Sequence, residues 1–401
     1  MKTLAIVLSE TRAHELTYDG FKKNFLDQVN ADLCVCIGIK PDYDYDNPFY
    51  KNAKYRFLYE EPDDFADAFN KASDEILKNV KMPLFEKLEN VNCLHGKAPG
   101  KFDSPDGNIK YLGEFDNLDN FNFEAYKDYD EIVYHNADFP DQYWKKTLFA
   151  VKKSDHDKFV PQKDVMSYRK PLPWKRFMHL PDQFMGGVKN DGTHHHHHGS
   201  AGILIFFRWF LLQKLKETNL INEYDRFIIT RSDFIYAIPH PRLELLDPSK
   251  IWFPNGEYYG GYTDRHTILN KNHIEQYLKL FTNMVLRSNQ YFSQMQVANC
   301  RPYWNLERLI KFHLNETGVY GDIREYPYVT YSIRNHGGVS RWQWGWYSHE
   351  HGYYIKYNSE YTQAIKYKEE FEKSNKSVDE FYKDEIKKIN PTNDQLVYHP
   401  M

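Results

Sequence analysis

An apolar run from Thr3 to Leu8, a helical pattern from about Tyr18 to Val29 and a second apolar run from Asp32 to Gly38 follow one another at the start of the chain. The helical stretch places Phe21, Phe25, Leu26 and Val29 on one face. Two buried strands joined by a helix return in parallel, so this opening predicts an α/β protein. Tyr55 to Tyr59, closed by Glu60-Glu61-Pro62, continues the pattern as a third strand, and Ala66 to Val80 predicts an amphipathic helix. Far downstream, Arg226-Phe227-Ile228-Ile229-Thr230 is the most strand-like segment of all.

The 401 residues are 41% hydrophobic and 27% charged, enough apolar material for a sizeable core. A formal charge of −4 argues against generic nucleic-acid binding, which needs excess positive charge facing phosphates. No apolar run approaches the roughly 18 residues of a membrane span. The first apolar run turns polar at Ser9-Glu10-Thr11-Arg12, too early for a signal peptide. Cys34, Cys36, Cys93 and Cys300 are too few for a disulfide framework and form no CxxC pair. Structural thiols in a reducing, cytoplasmic setting are the expectation.

Residues from about 90 to 190 are rich in Asp, Asn, Lys, Gly and Pro, with one clear strand at Glu131 to Tyr134. They are expected to be insertions and long loops, spanning about 60–190 in all, within a domain covering 1–350. Ser200 is a natural N-cap for a helix from Ala201 to Glu217 that is apolar nearly all round, as suits a helix buried on a sheet. Further helices are expected from His273 to Arg287, Asn305 to Leu314 and about Thr362 to Lys388, the last in a helical extension over 351–401.

Arg231-Ser232-Asp233 lies where the strongest strand ends. Ligands of open α/β sheets gather at the carboxyl ends of strands. A carboxylate there can hold Mg or Mn on a diphosphate, and Arg231 can fork onto phosphate. The alternative, equally weighted on spacing alone, is an Asp paired with Arg231 for structure. This stretch resembles the DXD position of GT-A-fold, nucleotide-sugar-dependent glycosyltransferases, although Arg231 stands where the first acid would. Tyr224 to Asp233 is similar to a "yD-x-x-I-x-x-R-x-D" strand of glycosyltransferase-like proteins from bacterial and large-virus polysaccharide clusters. Gly260-Gly261-Tyr262-Thr263-Asp264-Arg265 resembles their "GG-x-x-D-R" loop.

The resemblance implies a GT-A-like, Rossmann-type mixed sheet flanked by helices. It implies transfer of a sugar from a nucleoside diphosphate sugar to a glycan or other hydroxyl acceptor, in polysaccharide or glycoprotein glycan synthesis. Ser9, Glu10, Thr11 and Arg12 would contact the nucleotide, with Arg231, Ser232, Asp233, Gly260 and Gly261. Asp233 and His336 would hold a divalent cation, Mn or Mg.

On the residues themselves, paired glycines let a loop approach a ligand, and Asp264 beyond them can act as a base toward an acceptor hydroxyl. Glu307 is a second base candidate, although an acid at a helix start also complements the dipole. Trp342, Trp344 and Trp346 share one face of any strand and would form a platform for acceptor sugar rings, or an aromatic core edge. The run His194 to His198 is not preorganised for a metal; His198, with Ser200, is the member placed to touch an anionic donor at a helix start. Two other functions stay open: a non-catalytic carbohydrate-binding protein on a degenerate fold, and a metal-dependent hydrolase, for which no HExxH spacing is present.

Overall fold

The computed structural model describes residues 1–79, 91–94, 107–115, 122–129, 131–136, 146–152, 174, 177, 184–189, 199–287, 291, 304–335 and 345–391. The chain divides into two compact units: Met1–Asn70 with Phe177–Thr282 and Ala298–Met401, and Lys71–Arg176 with Asn283–Val297. In chain order the strands are β1 (Thr3–Ser9), β2 (Ala31–Ile39), β3 (Tyr55–Glu60), β4 (Val91–Leu94), β5 (Ile109–Phe115), β6 (Glu131–Asn136) and β7 (Lys146–Val151). They continue as β8 (Arg226–Thr230), β9 (Phe234–Tyr236), β10 (Ile251–Asn255), β11 (Thr267–Asn270), β12 (Ile323–Pro327), β13 (Thr330–Arg334), β14 (Trp346–Ser348) and β15 (Tyr353–Ile355).

The first unit is built on a seven-stranded mixed sheet of order β12-β10-β11-β8-β1-β2-β3. Strands β8, β1, β2 and β3 are parallel, while β11 runs against both of its neighbours. Helices flank this sheet, a layout compatible with a Rossmann-like fold. Central parallel strands are covered on both faces, so they carry unbroken apolar runs. Leu4 to Val7 and Cys34 to Ile37 are accordingly buried, and burial pushes both thiols, Cys34 and Cys36, up.

On one face Phe21, Phe25, Val29 and Phe49 pack against Ala5, Val7, Val35 and Ile228. Phe21 meets Phe25 and Phe49 edge-on, with ring centroids 5.0 and 4.9 Å away. Each such buried Phe stabilises the fold by about 2–3 kcal/mol. The helix Ala201–Glu217 packs on β1 and β2 and also on the helix Lys271–Leu278, which explains why it is apolar all round. Gly38 lies beneath it; a Cβ there would stand 3.2 Å from the Phe207 ring.

A second sheet of the same unit, antiparallel and ordered β14-β15-β13-β9, begins immediately after β8. The chain thus passes from one sheet to the other through Arg231-Ser232-Asp233.

Several expectations are corrected. The helix expected from His273 to Arg287 is two, Lys271–Leu278 and Leu280–Leu286. The C-terminal helix is also two, Asn358–Ser374 and Val378–Ile389. Left-handed Asn375 ends the first, and a capping box of Ser377 and Glu380 starts the second. Residues beyond 350 are not an appendage: Phe381 and Tyr382 are buried with Ile238 and Val329. The stretch expected to be loops carries a four-stranded sheet in the second unit, of order β4-β6-β7-β5. A register shift between Tyr111 and Gly113 breaks the alternation that would have marked β5. No helix among the described residues is long and apolar enough to cross a membrane.

Candidate functional site

The carboxyl ends of β1 and β8 lie side by side, because the two strands pair in parallel. Beyond β1 the chain makes a tight excursion between two left-handed non-glycine residues, Ser9 (φ 84) and Ala13 (φ 53). Each such conformation costs about 1–3 kcal/mol and persists only where the surroundings enforce it. Here the Ser232 hydroxyl donates to the carbonyls of Glu10 and Arg12 at 3.1 and 3.2 Å. The Asn47 amide donates to Thr11 Oγ1 at 2.8 Å and to the Thr11 carbonyl at 3.2 Å, and the Tyr43 hydroxyl lies 3.0 Å from Thr11 Oγ1. The loop singled out in the sequence is therefore clamped at the tip of β8.

Asp233 is the hub of that tip. Arg231 forks onto it, Nε to Oδ1 at 2.8 Å and Nη2 to Oδ2 at 2.7 Å. Arg334 Nη1 bonds the same Oδ2. Strand pairing dictates this meeting: β9 runs against β13 with Ser332 opposite Phe234, and the Ile333 N–H donates to the Asp233 carbonyl at 2.9 Å. Burial would raise the Asp233 pKa, but Arg231 and Arg334 outweigh it and hold the carboxyl well below the usual range. Two further bases surround it. Arg12 is lowered by partial desolvation and by Arg334 and Arg231, with Asp233 and Glu61 acting the other way. Lys356 follows β15, its N–H donating to the Ser332 carbonyl. Burial, then Arg231, Arg334 and Arg265, push its amine well below the usual lysine range. The cluster opens outward: the Arg12 side chain is 48% exposed and Arg231 20%, against 3% for Asp233.

The expected divalent cation does not fit these residues. Both oxygens of Asp233 are engaged by guanidinium groups, which offer a metal no ligand and repel it. His336, the other expected ligand, lies outside the described residues. Among those described, no group of three or more His, Cys, Asp or Glu is placed to hold a metal ion.

The glycine pair has a different partner from the expected ligand. A Cβ on Gly261 would lie 1.8 Å from the Glu307 carbonyl oxygen, so only glycine lets the loop touch the start of the helix Leu306–Glu316. Tyr262 N–H donates to that carbonyl at 3.1 Å, and Asn305 Nδ2 donates to the Tyr259 carbonyl at 2.9 Å. The contact brings the two acids expected to act as bases together. Burial and then the Asp264 charge raise Glu307 to about 7. Asp264 is in turn held by its backbone carbonyl, which accepts from Arg208 Nη2 at 2.9 Å. Its charge also reaches Arg231, which links the acid pair to the cation cluster.

Arg265 and His266 turn inward. Arg265 pairs with the fully buried Glu360 and lies over the Tyr357 ring, 4.5 Å from its centroid. His266 Nδ1 meets Thr230 Oγ1 at 2.9 Å, and its Nε2 meets His240 Nε2 at 3.3 Å. Burial holds His240 down to about 4 and His266 well below its usual value. The unfolded chain therefore binds more protons than the native one below pH ~6.5, and stability falls as pH falls. His240 alone is expected to remove roughly 3 kcal/mol between pH ~6.5 and pH ~4. Urea titrations across that range measure the loss, and a flat profile would contradict it.

Ser200 precedes its helix, but its hydroxyl caps nothing. Trp346 is exposed on β14, edge-on to Tyr361 with centroids 5.4 Å apart. His198, the rest of the His run, Trp342 and Trp344 lie outside the described residues. Arg334, Lys356 and Glu360 carry no signal of their own in the sequence; Arg334 stands two residues before His336. No known family model matches the chain, and no curated protein matches it in sequence.

Proposed function

We propose that the protein is a glycosyltransferase of GT-A type that moves a sugar from a nucleoside diphosphate sugar to a hydroxyl of a glycan acceptor, in polysaccharide or glycoprotein glycan synthesis. The observation that carries this reading is the meeting at the β8 tip of the clamped Ser9 to Arg12 loop and the Asp233–Arg231–Arg334 ion cluster, with the Asp264–Glu307 pair in the same unit. The tip suits a diphosphate leaving group and the acid pair an acceptor proton. In this reading the Ser9 to Arg12 loop lies along the nucleotide, and Trp346 with Tyr361 offers aromatic faces to the acceptor. The bond from the anomeric carbon to the diphosphate breaks and a bond to the acceptor oxygen forms. The acceptor proton passes to Glu307 or Asp264, and the diphosphate leaves with its charge met by guanidinium groups.

Glu307→Gln tests the reading on a panel of nucleotide sugars. The variant is expected to lower kcat about 10²–10⁴-fold. In the wild type kcat falls as pH drops below about 7, because the base must be ionised; in the variant that limb disappears. Full turnover by Glu307→Gln would remove its role. Failure of the wild type to bind any nucleotide would sink the transferase reading in favour of simple carbohydrate binding.

A further inference from the structure

We propose that Asn47 is a positioning residue, whose carboxamide sets the loop from Glu10 to Arg12 in the shape that meets the donor nucleotide. The identity of that ligand rests on the transferase reading; the hold on the loop does not.

This loop has little local support. Left-handed Ser9 and Ala13 bound it, and Ala13, at the start of the helix His14–Phe21, makes no side-chain cap bond. Asn47, 36 positions from Thr11 and only 2% exposed, reaches in from the far side of β2 in the sequence. The orientation of its amide is fixed, because Oδ1 accepts from the Phe49 N–H at 2.9 Å and so caps the helix Pro48–Asn52. Nδ2, a donor only, therefore faces the loop. It serves Thr11 Oγ1 at 2.8 Å, His14 Nδ1 at 3.1 Å and the Thr11 carbonyl at 3.2 Å. With Nδ1 accepting, the His14 ring proton sits on Nε2, 3.3 Å from carboxylate oxygens of Glu15 and Asp44. One buried amide thus ties together the loop, the first residue of the helix after it and the start of a second helix.

The struts take one side of each peptide. Ser232 binds the carbonyls of Glu10 and Arg12, and Asn47 binds that of Thr11 between them. In a trans peptide the N–H points opposite to its carbonyl, so the N–H groups of Thr11, Arg12 and Ala13 each point away from the strut on their own peptide. Among the described residues none of the three has a hydrogen-bond acceptor. The Thr11 hydroxyl is itself engaged, by Asn47 and by Tyr43 at 3.0 Å. Thr11 therefore holds the loop, and the three N–H groups are what the loop offers to acceptor oxygens of a ligand. A loop set before the ligand arrives need not be ordered by it. Without Asn47 the strained ends favour release, and the ligand then binds only the fraction of molecules that keeps the shape.

Asn47→Ser and Asn47→Asp test this, since both residues still cap the helix Pro48–Asn52 but carry no amide donor. In each, trypsin is expected to cut after Arg12 about tenfold faster than in the wild type, with cutting elsewhere unchanged, as one bond to a buried group is lost. On UDP- and GDP-sugars, KM for the donor is expected to rise about tenfold while kcat stays within about twofold, because bound donor restores the loop. Thermal melts verify that both variants fold. Cutting after Arg12 at the wild-type rate overturns the proposal. So does faster digestion at every site alike, the mark of a residue that only supports the fold, or a donor KM equal to wild type. Faster cutting confined to Arg12, in a protein whose wild type binds none of these nucleotides, upholds the hold on the loop and removes the transferase reading.

Discussion

Asp233→Asn is expected to destabilise the native state by about 3–5 kcal/mol, the effect of removing one partner from a buried ion pair. Asn keeps the shape but not the charge, and it leaves Arg231 and Arg334 facing each other across a neutral amide. Neither can move to water without breaking the turn from β8 to β9, since the Asp233 carbonyl also accepts the Ile333 N–H. Urea unfolding measures the loss. A midpoint within about 0.5 kcal/mol of wild type would show that the carboxylate does not organise the tip. Because the variant is expected to be unstable, its lost turnover would not by itself identify a chemical role.

Glu360→Ala is expected to cost a similar amount, about 3–5 kcal/mol, for a related reason. Glu360 is fully buried and pairs with Arg265; its oxygens also accept from the Tyr328 hydroxyl at 3.1 Å and the Ser332 N–H at 2.8 Å. Alanine leaves the guanidinium only its longer contacts to Glu257 and Asp264, 3.7 Å each, and strands both donors in a buried site where unmade hydrogen bonds carry their full desolvation penalty. Glu360→Gln retains an acceptor and is expected to recover part of the loss. Equal unfolding midpoints for the alanine variant and the wild type would show that the C-terminal helix does not lock the loop carrying Arg265. The expected result also means that deleting the last 50 or so residues unfolds the first unit, because the helix Asn358–Ser374 delivers Glu360 into it.

The site was legible in part. Arg231-Ser232-Asp233 announces itself because a run of five buried residues stops at a charged triplet, a local signal. The glycine pair and Asp264 were visible for the same reason, but their partner was not. Gly261 touches the Glu307 backbone across a separation in sequence that no spacing rule encodes. Arg334 meets Asp233 from 101 positions away, and Glu360 meets Arg265 from 95. A carboxylate at a strand end looks the same in sequence whether it faces a metal or two arginines.

Periodicity and apolar run length are properties of consecutive residues. The sequence by itself therefore determined β1, β2, β3 and β8, the buried helix Ala201–Glu217 and the α/β class. Only the tertiary structure decided that the residues beyond 350 complete the first unit, that Gly261 serves a helix start, and that Arg334 meets Asp233 at the tip of β8. Those depend on which distant strands pair. Charge matching is settled at that step, because a side chain's electrostatic surroundings come mostly from residues that chain order keeps far apart.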